Sequence, residues 1–123
     1  MAMSGKILAF DPSGNFEEGR GTTGCSIFEH NNLLSFGEIK ATDFGNAELY
    51  WDKHLTCIHS IKPDVVVCES FNLQPSKAKQ QSWSALETPQ LIGLLRWYCW
   101  SKNVKFVLQK PLIKQRFTDD SLS

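Results

Sequence analysis

Two short apolar runs, each ending in a carboxylate, constrain this chain most. Ile7-Leu8-Ala9-Phe10 leads into Asp11, and Val65-Val66-Val67-Cys68 leads into Glu69. Runs of this length without a polar interruption suit central strands covered on both faces. Pro12-Ser13-Gly14 follows the first acid, so the chain turns there and small residues leave room beside the carboxylate. If the two strands are parallel neighbours, both acids arrive at one edge of a sheet. That arrangement suggests a metal site.

The segments between and after these strands fix a topology. Residues 15–21 are polar and glycine-bearing, which predicts a flexible hairpin loop. Residues 22–29 carry β-branched and aromatic side chains, Asn31-Asn32 signals a turn, and 33–40 reads as a third strand. Helical spacing over 47–61 turns Leu49 or Tyr50, Leu55, Ile58 and Ile61 to the core, and Lys62-Pro63-Asp64 stops it. The strand ending at Glu69 is then most simply parallel to its neighbour through a right-handed crossover. Residues 71–82 are polar and basic. Residues 83–100 are helical in period, with Leu91, Leu94, Leu95, Tyr98 and Cys99 on the apolar face. In that stretch Thr88-Pro89 fits an N-cap with Pro at the first turn, or a kink, and Gly93 predicts close packing on the sheet. Residues 104–108 form a fifth strand, and 111–117 has the pattern of a further helix start. The order β-β-β-α-β-α-β predicts one α/β domain over 1–123, a mixed five-stranded sheet with helices on its faces.

Composition excludes several classes. At 123 residues, 41% hydrophobic and 21% charged, the chain is an ordinary globular domain. No apolar run approaches the roughly 20 residues of a membrane span. The opening Met1-Ala2-Met3-Ser4-Gly5-Lys6 lacks the apolar stretch of a secretory signal, so a cytoplasmic location without membrane partners is expected. Cys25, Cys57, Cys68 and Cys99 are scattered through apolar patterns and read as reduced thiols, not zinc ligands. His54 and His59 lie five apart and do not share a helix face, so they read as core or surface histidines. Net charge is zero but divided: residues 1–69 carry a balance of −5 and residues 70–118 a balance of +7. A basic half beside an acidic edge suits a polyanion held against a metal site.

These motifs carry a resemblance. Ile7-Leu8-Ala9-Phe10-Asp11-Pro12-Ser13-Gly14, with Thr23-Gly24-Cys25-Ser26-Ile27, resembles the opening of the RuvC-type Holliday-junction resolvases of the RNase H-like superfamily. Val66-Val67-Cys68-Glu69-Ser70-Phe71 resembles that family's second acidic motif, and Leu91-Ile92-Gly93 its following helix. Lys110-Pro111 with Lys114-Gln115 resembles its basic segment after the fifth strand, in the style of the shorter bacteriophage members. The resemblance implies an RNase H-like fold and a magnesium- or manganese-dependent endonuclease acting on branched DNA as a homodimer. It implies a bacterial or phage-infected host cytoplasm. Asp11 and Glu69 become metal ligands, Lys114 a catalytic phosphate contact, and Phe71 a base-stacking residue. Lys77, Lys79, Lys110, Lys114 and Arg116 become phosphate contacts within the basic half.

One departure matters. The family adds one or two acids from a C-terminal helix, whereas this chain offers Asp119 and Asp120 soon after its fifth strand. Either these two join the metal ligands or the acidic helix is missing. The alternatives are therefore a catalytically silent junction binder of the same fold and a protein-interaction module presenting Trp97, Tyr98 and Trp100.

Overall fold

Burial alternates along the two acid-bearing strands, and that alternation sets the layers. The computed structural model describes residues 5–16, 21–70 and 87–110. Its elements are β1 (Lys6–Asp11), β2 (Thr22–Glu29), β3 (Asn32–Lys40), α1 (Ala47–Ile61), β4 (Val65–Glu69), α2 (Glu87–Ser101) and β5 (Lys105–Gln109). A single 3-10 turn, Ala41–Asp43, joins β3 to α1. The sheet order is β3-β2-β1-β4-β5. β1 pairs antiparallel with β2 and parallel with β4; β2 pairs antiparallel with β3, and β4 parallel with β5. This is the expected mixed sheet, with a meander on one side and helical crossovers on the other.

Leu8 and Phe10 of β1 and Val66 and Cys68 of β4 are buried, while their neighbours Ile7, Ala9, Val65 and Val67 are half-buried. With a side-chain period of two, the buried set shares one face. α1 sends Tyr50, His54 and Ile58 to that face, and α2 sends Leu91, Leu95 and Cys99. Both helices thus join one core cluster. The opposite face carries Ile7, Ala9, Val65 and Val67. Register adds Val107, opposite Val67, and Phe36, opposite Ser26, to that face. Phe36 is 80% exposed. The expectation of two covered faces is therefore met on one face only by the described residues.

Local signals explain the boundaries. The β2–β3 hairpin turns at His30-Asn31, with φ of 51° and 70°, one residue earlier than the expected Asn31-Asn32. A two-residue turn needs consecutive positive φ values to match strand twist, and the Glu29–Asn32 pairing leaves only these two residues unpaired. Asn46 caps α1 by accepting from the Leu49 amide at 2.8 Å. Tyr50, and not Leu49, enters the core; Leu49 is 53% exposed. Lys62 ends α1 in the left-handed region at φ 55°, where Pro63 prevents continuation. α2 is described from Glu87, so Thr88 lies inside its first turn and is not the expected N-cap, its hydroxyl accepting instead from the Gly14 amide. Pro89 also lies in that first turn, where no intrahelical amide is required, so a kink is not needed. Gly93 corrects an expectation: it is exposed, and a Cβ there would meet nothing within 4 Å. Its place on the helix faces away from the sheet. Among the described residues no helix is long and apolar enough to cross a membrane.

Candidate active site

The two acids arrive level because their strands are clamped at the other end. The Lys6 amide donates to the Asp64 carboxylate at 3.0 Å, and the Asp64 amide donates to the Lys6 carbonyl at 2.9 Å. Asp11 lies five residues beyond Lys6, and Glu69 five beyond Asp64. The parallel register runs from Ile7–Val65 to Phe10–Cys68, and its next step pairs Asp11 with Glu69. Adjacent strands lie about 4.8 Å apart, so the two carboxylates sit side by side. Both fall on the face opposite the helices, by the same alternation that buries Phe10 and Cys68.

The acids open into a cleft of about 350 Å³, lined also by Gly24, Ser26, Phe36 and Gln109. Gly24 faces Asp11 across the β1–β2 ladder and has no side chain to obstruct it; even a Cβ would stand 3.8 Å from that of Asp11. Gln109 faces Glu69 across β4–β5, and its carbonyl accepts from the Ser70 amide at 2.8 Å. Exposed Lys110 follows directly, at the same edge.

The donors suit a hard cation. Two carboxylates and a side-chain amide offer oxygen ligands, and magnesium often binds through one or two carboxylates while keeping waters for a phosphate to displace. Thiol ligation does not fit. Burial, then Cys99, then the carboxylates of Asp11 and Glu69 push the Cys68 thiol up to about 12. Burial raises Cys99 to about 11. Both stay protonated at neutral pH, as the reading of reduced thiols expects. Among the described residues no group of three or more His, Cys, Asp or Glu side chains gathers to hold a metal. The described donor set is therefore the Asp11–Glu69 pair.

The turn after Asp11 is pinned from three sides. The Gly14 amide donates to Thr88 Oγ1 at 2.9 Å and the Phe16 amide to Glu87 Oε1 at 3.2 Å, both on α2. From α1, Trp51 Nε1 donates to the Gly14 carbonyl at 3.1 Å. From β2, Thr23 Oγ1 accepts from the Ser13 amide at 3.1 Å. Residues 17–20 of the expected flexible loop lie outside the described residues, but its start is fastened.

His54 is buried beneath this turn. Its Nδ1 lies 2.9 Å from the Tyr50 carbonyl and its Nε2 2.8 Å from Thr23 Oγ1. Burial lowers its pKa to about 4, against the opposing pull of backbone hydrogen bonds with Tyr50 and Trp51. The folded value lies below the unfolded one, so His54 contributes stability above pH 6.5 that is lost as the pH falls toward 4. The unmutated chain should lose about 2 kcal/mol more than His54→Gln between pH 7 and pH 5. Paired denaturant titrations check this, because carboxylates shared by both chains cancel. Parallel curves would show that His54 does not titrate as described.

Among the sequence-predicted residues the structure brings Asp11, Glu69 and Lys110 to one edge. Phe71, Lys77, Lys79, Lys114, Arg116, Asp119 and Asp120 lie outside the described residues. Sequence reasoning missed Gln109 and Phe36 in the cleft, and the Thr23–Tyr50–His54 group beneath the turn. A strand-end position opposite Glu69 was the only available signal for Gln109. His54 lies buried as one of the two alternatives for it, and His59 is exposed.

No protein-family model matches the chain, and no curated protein matches it. Solved structures do. The Thermus thermophilus RuvC in complex with a Holliday-junction substrate matches at 16% identity with a TM-score of 0.65, over 90% of this chain and 68% of that one. A second T. thermophilus RuvC structure matches at 15% identity and a TM-score of 0.58, over 86% of this chain and 64% of that one. The Fowlpox virus resolvase, also solved with Holliday-junction DNA, matches at 15% identity and a TM-score of 0.56, over 86% and 60%. The chain thus has the fold of RuvC-type resolvases and spans roughly two thirds of their lengths. Nothing in these three narrows the likeness to bacteriophage members.

Proposed function

We propose that this chain is a divalent-metal-dependent, structure-selective endonuclease that cuts Holliday junctions or other branched DNA. The observation that carries this reading is the parallel register from Ile7–Val65 to Phe10–Cys68, whose next step sets Asp11 beside Glu69 at the mouth of an open cleft. A divalent cation between them would draw an oxygen from each carboxylate. Asp11 and Glu69 would hold magnesium or manganese, with Gln109 beside them. The ion would polarise a phosphodiester and make a bound water more acidic.

The chain's own groups do the rest. Gly24 leaves the backbone of a substrate strand room to approach Asp11. Lys110 stands at the cleft edge, and Lys77, Lys79, Lys114 and Arg116 supply the remaining positive charge for phosphates. Lys114 is the proposed catalytic phosphate contact, and Phe71, two residues beyond Glu69, the proposed base-stacking side chain. Asp119 and Asp120 are proposed to complete the acid cluster. We also propose that two copies pair. Trp97 and Trp100, 58% and 74% exposed on α2, supply an apolar surface for it. Half-buried Tyr98 takes less part, under the Lys102 ammonium at 5.7 Å.

A second reading, a junction binder without cleavage, is favoured by the presence of only two acids among the described donors. Labelled four-way junction incubated with the purified chain and magnesium or manganese separates the two. Nicks near the branch point are expected. Salt-sensitive binding without nicks selects the binder, and absence of any salt-sensitive binding removes both.

A further inference from the structure

The hydrogen bonds beneath the Asp11 turn have only one consistent direction. The Tyr50 carbonyl can only accept, so His54 Nδ1 carries a proton and donates to it at 2.9 Å. His54 Nε2 is then an acceptor, and Thr23 Oγ1 spends its one proton on it at 2.8 Å. With that proton committed, Thr23 Oγ1 receives the Ser13 amide at 3.1 Å. Tyr50 Oη donates its proton to the Ser13 carbonyl at 2.5 Å. The circuit closes on itself: Ser13 amide to Thr23, Thr23 to His54, His54 to the Tyr50 backbone, and the Tyr50 hydroxyl back to Ser13.

Both backbone groups of Ser13 are thereby held, two residues beyond Asp11. The circuit is dry: Thr23, Tyr50 and His54 are all fully buried. Around it stand the Phe10 ring, 5.7 Å from the His54 ring, and the Tyr50 ring, edge-on at 5.1 Å. None of its three side chains lines the cleft. A polar group buried this completely has a cost unless satisfied, and two such groups bonded to a single turn residue, with His54 holding the Thr23 hydroxyl behind them, indicate a position that must not drift.

We propose that Thr23, Tyr50 and His54 are positioning residues that fix the direction of the Asp11 carboxylate by locking Ser13. The inference rests on the reading of Asp11 as a metal ligand. Groups that orient a metal ligand from behind typically alter affinity or activity 10–100-fold when removed. The test compares Thr23→Val, which keeps shape and deletes the hydroxyl, with Thr23→Ser, which restores it. Cleavage of a labelled four-way junction is followed across magnesium concentrations, and magnesium affinity is measured by calorimetry on the protein without DNA.

Thr23→Val should raise the magnesium needed for half-maximal cleavage about tenfold and weaken calorimetric affinity to match. Junction Kd should stay within about twofold of the unmutated chain, and Thr23→Ser should bring the magnesium dependence back. A purely structural role would lower the melting temperature and leave the magnesium dependence in place. Unchanged magnesium dependence in Thr23→Val, or no recovery in Thr23→Ser, overturns the proposal. If Thr23→Val does not fold, Tyr50→Phe takes its place, removing the donor to the Ser13 carbonyl together with the 3.3 Å contact between the Tyr50 and Thr23 hydroxyls. An unmutated chain that binds magnesium without cutting loses the nuclease reading while calorimetry still decides the positioning role. One that binds no magnesium loses both.

Discussion

Asp11→Asn should abolish junction cleavage while leaving junction binding within a few-fold of the unmutated chain. The substitution keeps the size of the side chain and removes only its charge. A metal ion contributes several kcal/mol of charge stabilisation to phosphoryl chemistry, so losing a principal ligand should lower the rate on the order of 10³-fold. Glu69→Gln should act alike, because the register sets both acids at one edge and the proposed function gives them the same ion. The effects should not add: once either acid is gone the ion is no longer held, and the second loss removes nothing further. On the proposed function, junction binding would be carried by basic groups and depend on salt, so neutralising an acid at the edge should hold or slightly tighten it. Single-turnover cleavage and salt-resolved Kd measurements, made on the same preparations, read both halves. Asp11→Asn that retains more than a tenth of the cleavage rate would remove this carboxylate from the metal site.

The legible parts of this site are those that local patterning specifies. β1 and β4 announced themselves because an uninterrupted apolar run of four residues closed by an acid has few other uses, and the acid at each end sits where the run stops. α1 was legible to its ends, Ala47–Ile61, because helical spacing and the Lys62-Pro63-Asp64 stop agree. The hairpin turn slipped by a residue because Asn31 suits either arrangement, and only the pairing across β2–β3 decides. Gly93 misled for a related reason. Glycine marks either close approach or an indifferent exposed position, and α2 uses it as the second. Tyr50 against Leu49 was undecidable from spacing alone, since a phenol and an aliphatic side chain both fit an apolar stripe. Tyr50 wins because its hydroxyl has a carbonyl to reach beneath the turn. None of the contacts fastening that turn could be read from sequence. Gly14 meets Thr88 across 74 residues, and His54 meets Thr23 across 31. Such pairings exist only after the sheet order has brought α1, α2 and β2 around the end of β1.

Those distant fastenings lead to the second large effect, at Gly14. A Cβ on Gly14 would lie 2.4 Å from the Glu87 carbonyl oxygen, 2.6 Å from its carbon and 2.8 Å from the Thr88 nitrogen. All three are backbone atoms of the first turn of α2, so no side-chain rotation relieves the clash. Either the turn withdraws or the start of α2 moves outward. Withdrawal breaks the Gly14–Thr88 and Trp51–Gly14 bonds, and movement of α2 disturbs buried Leu91 and Ile92. Gly14→Ala should therefore destabilise the chain by about 3 kcal/mol, near the upper end for overpacking, and lower the melting temperature by roughly 10 °C. Gly93→Ala, at an exposed helical site with no contact to make, should instead hold or gain up to about 1 kcal/mol. The pair separates close approach from glycine's general flexibility, since both substitutions reduce backbone freedom equally. The effect on the site should go beyond stability. At a temperature where Gly14→Ala is still folded, junction cleavage should need more magnesium, because the displaced turn carries Asp11 with it. Equal melting temperatures for Gly14→Ala and the unmutated chain would mean that α2 does not press on the turn, and that the edge bearing Asp11 and Glu69 is held by the sheet alone.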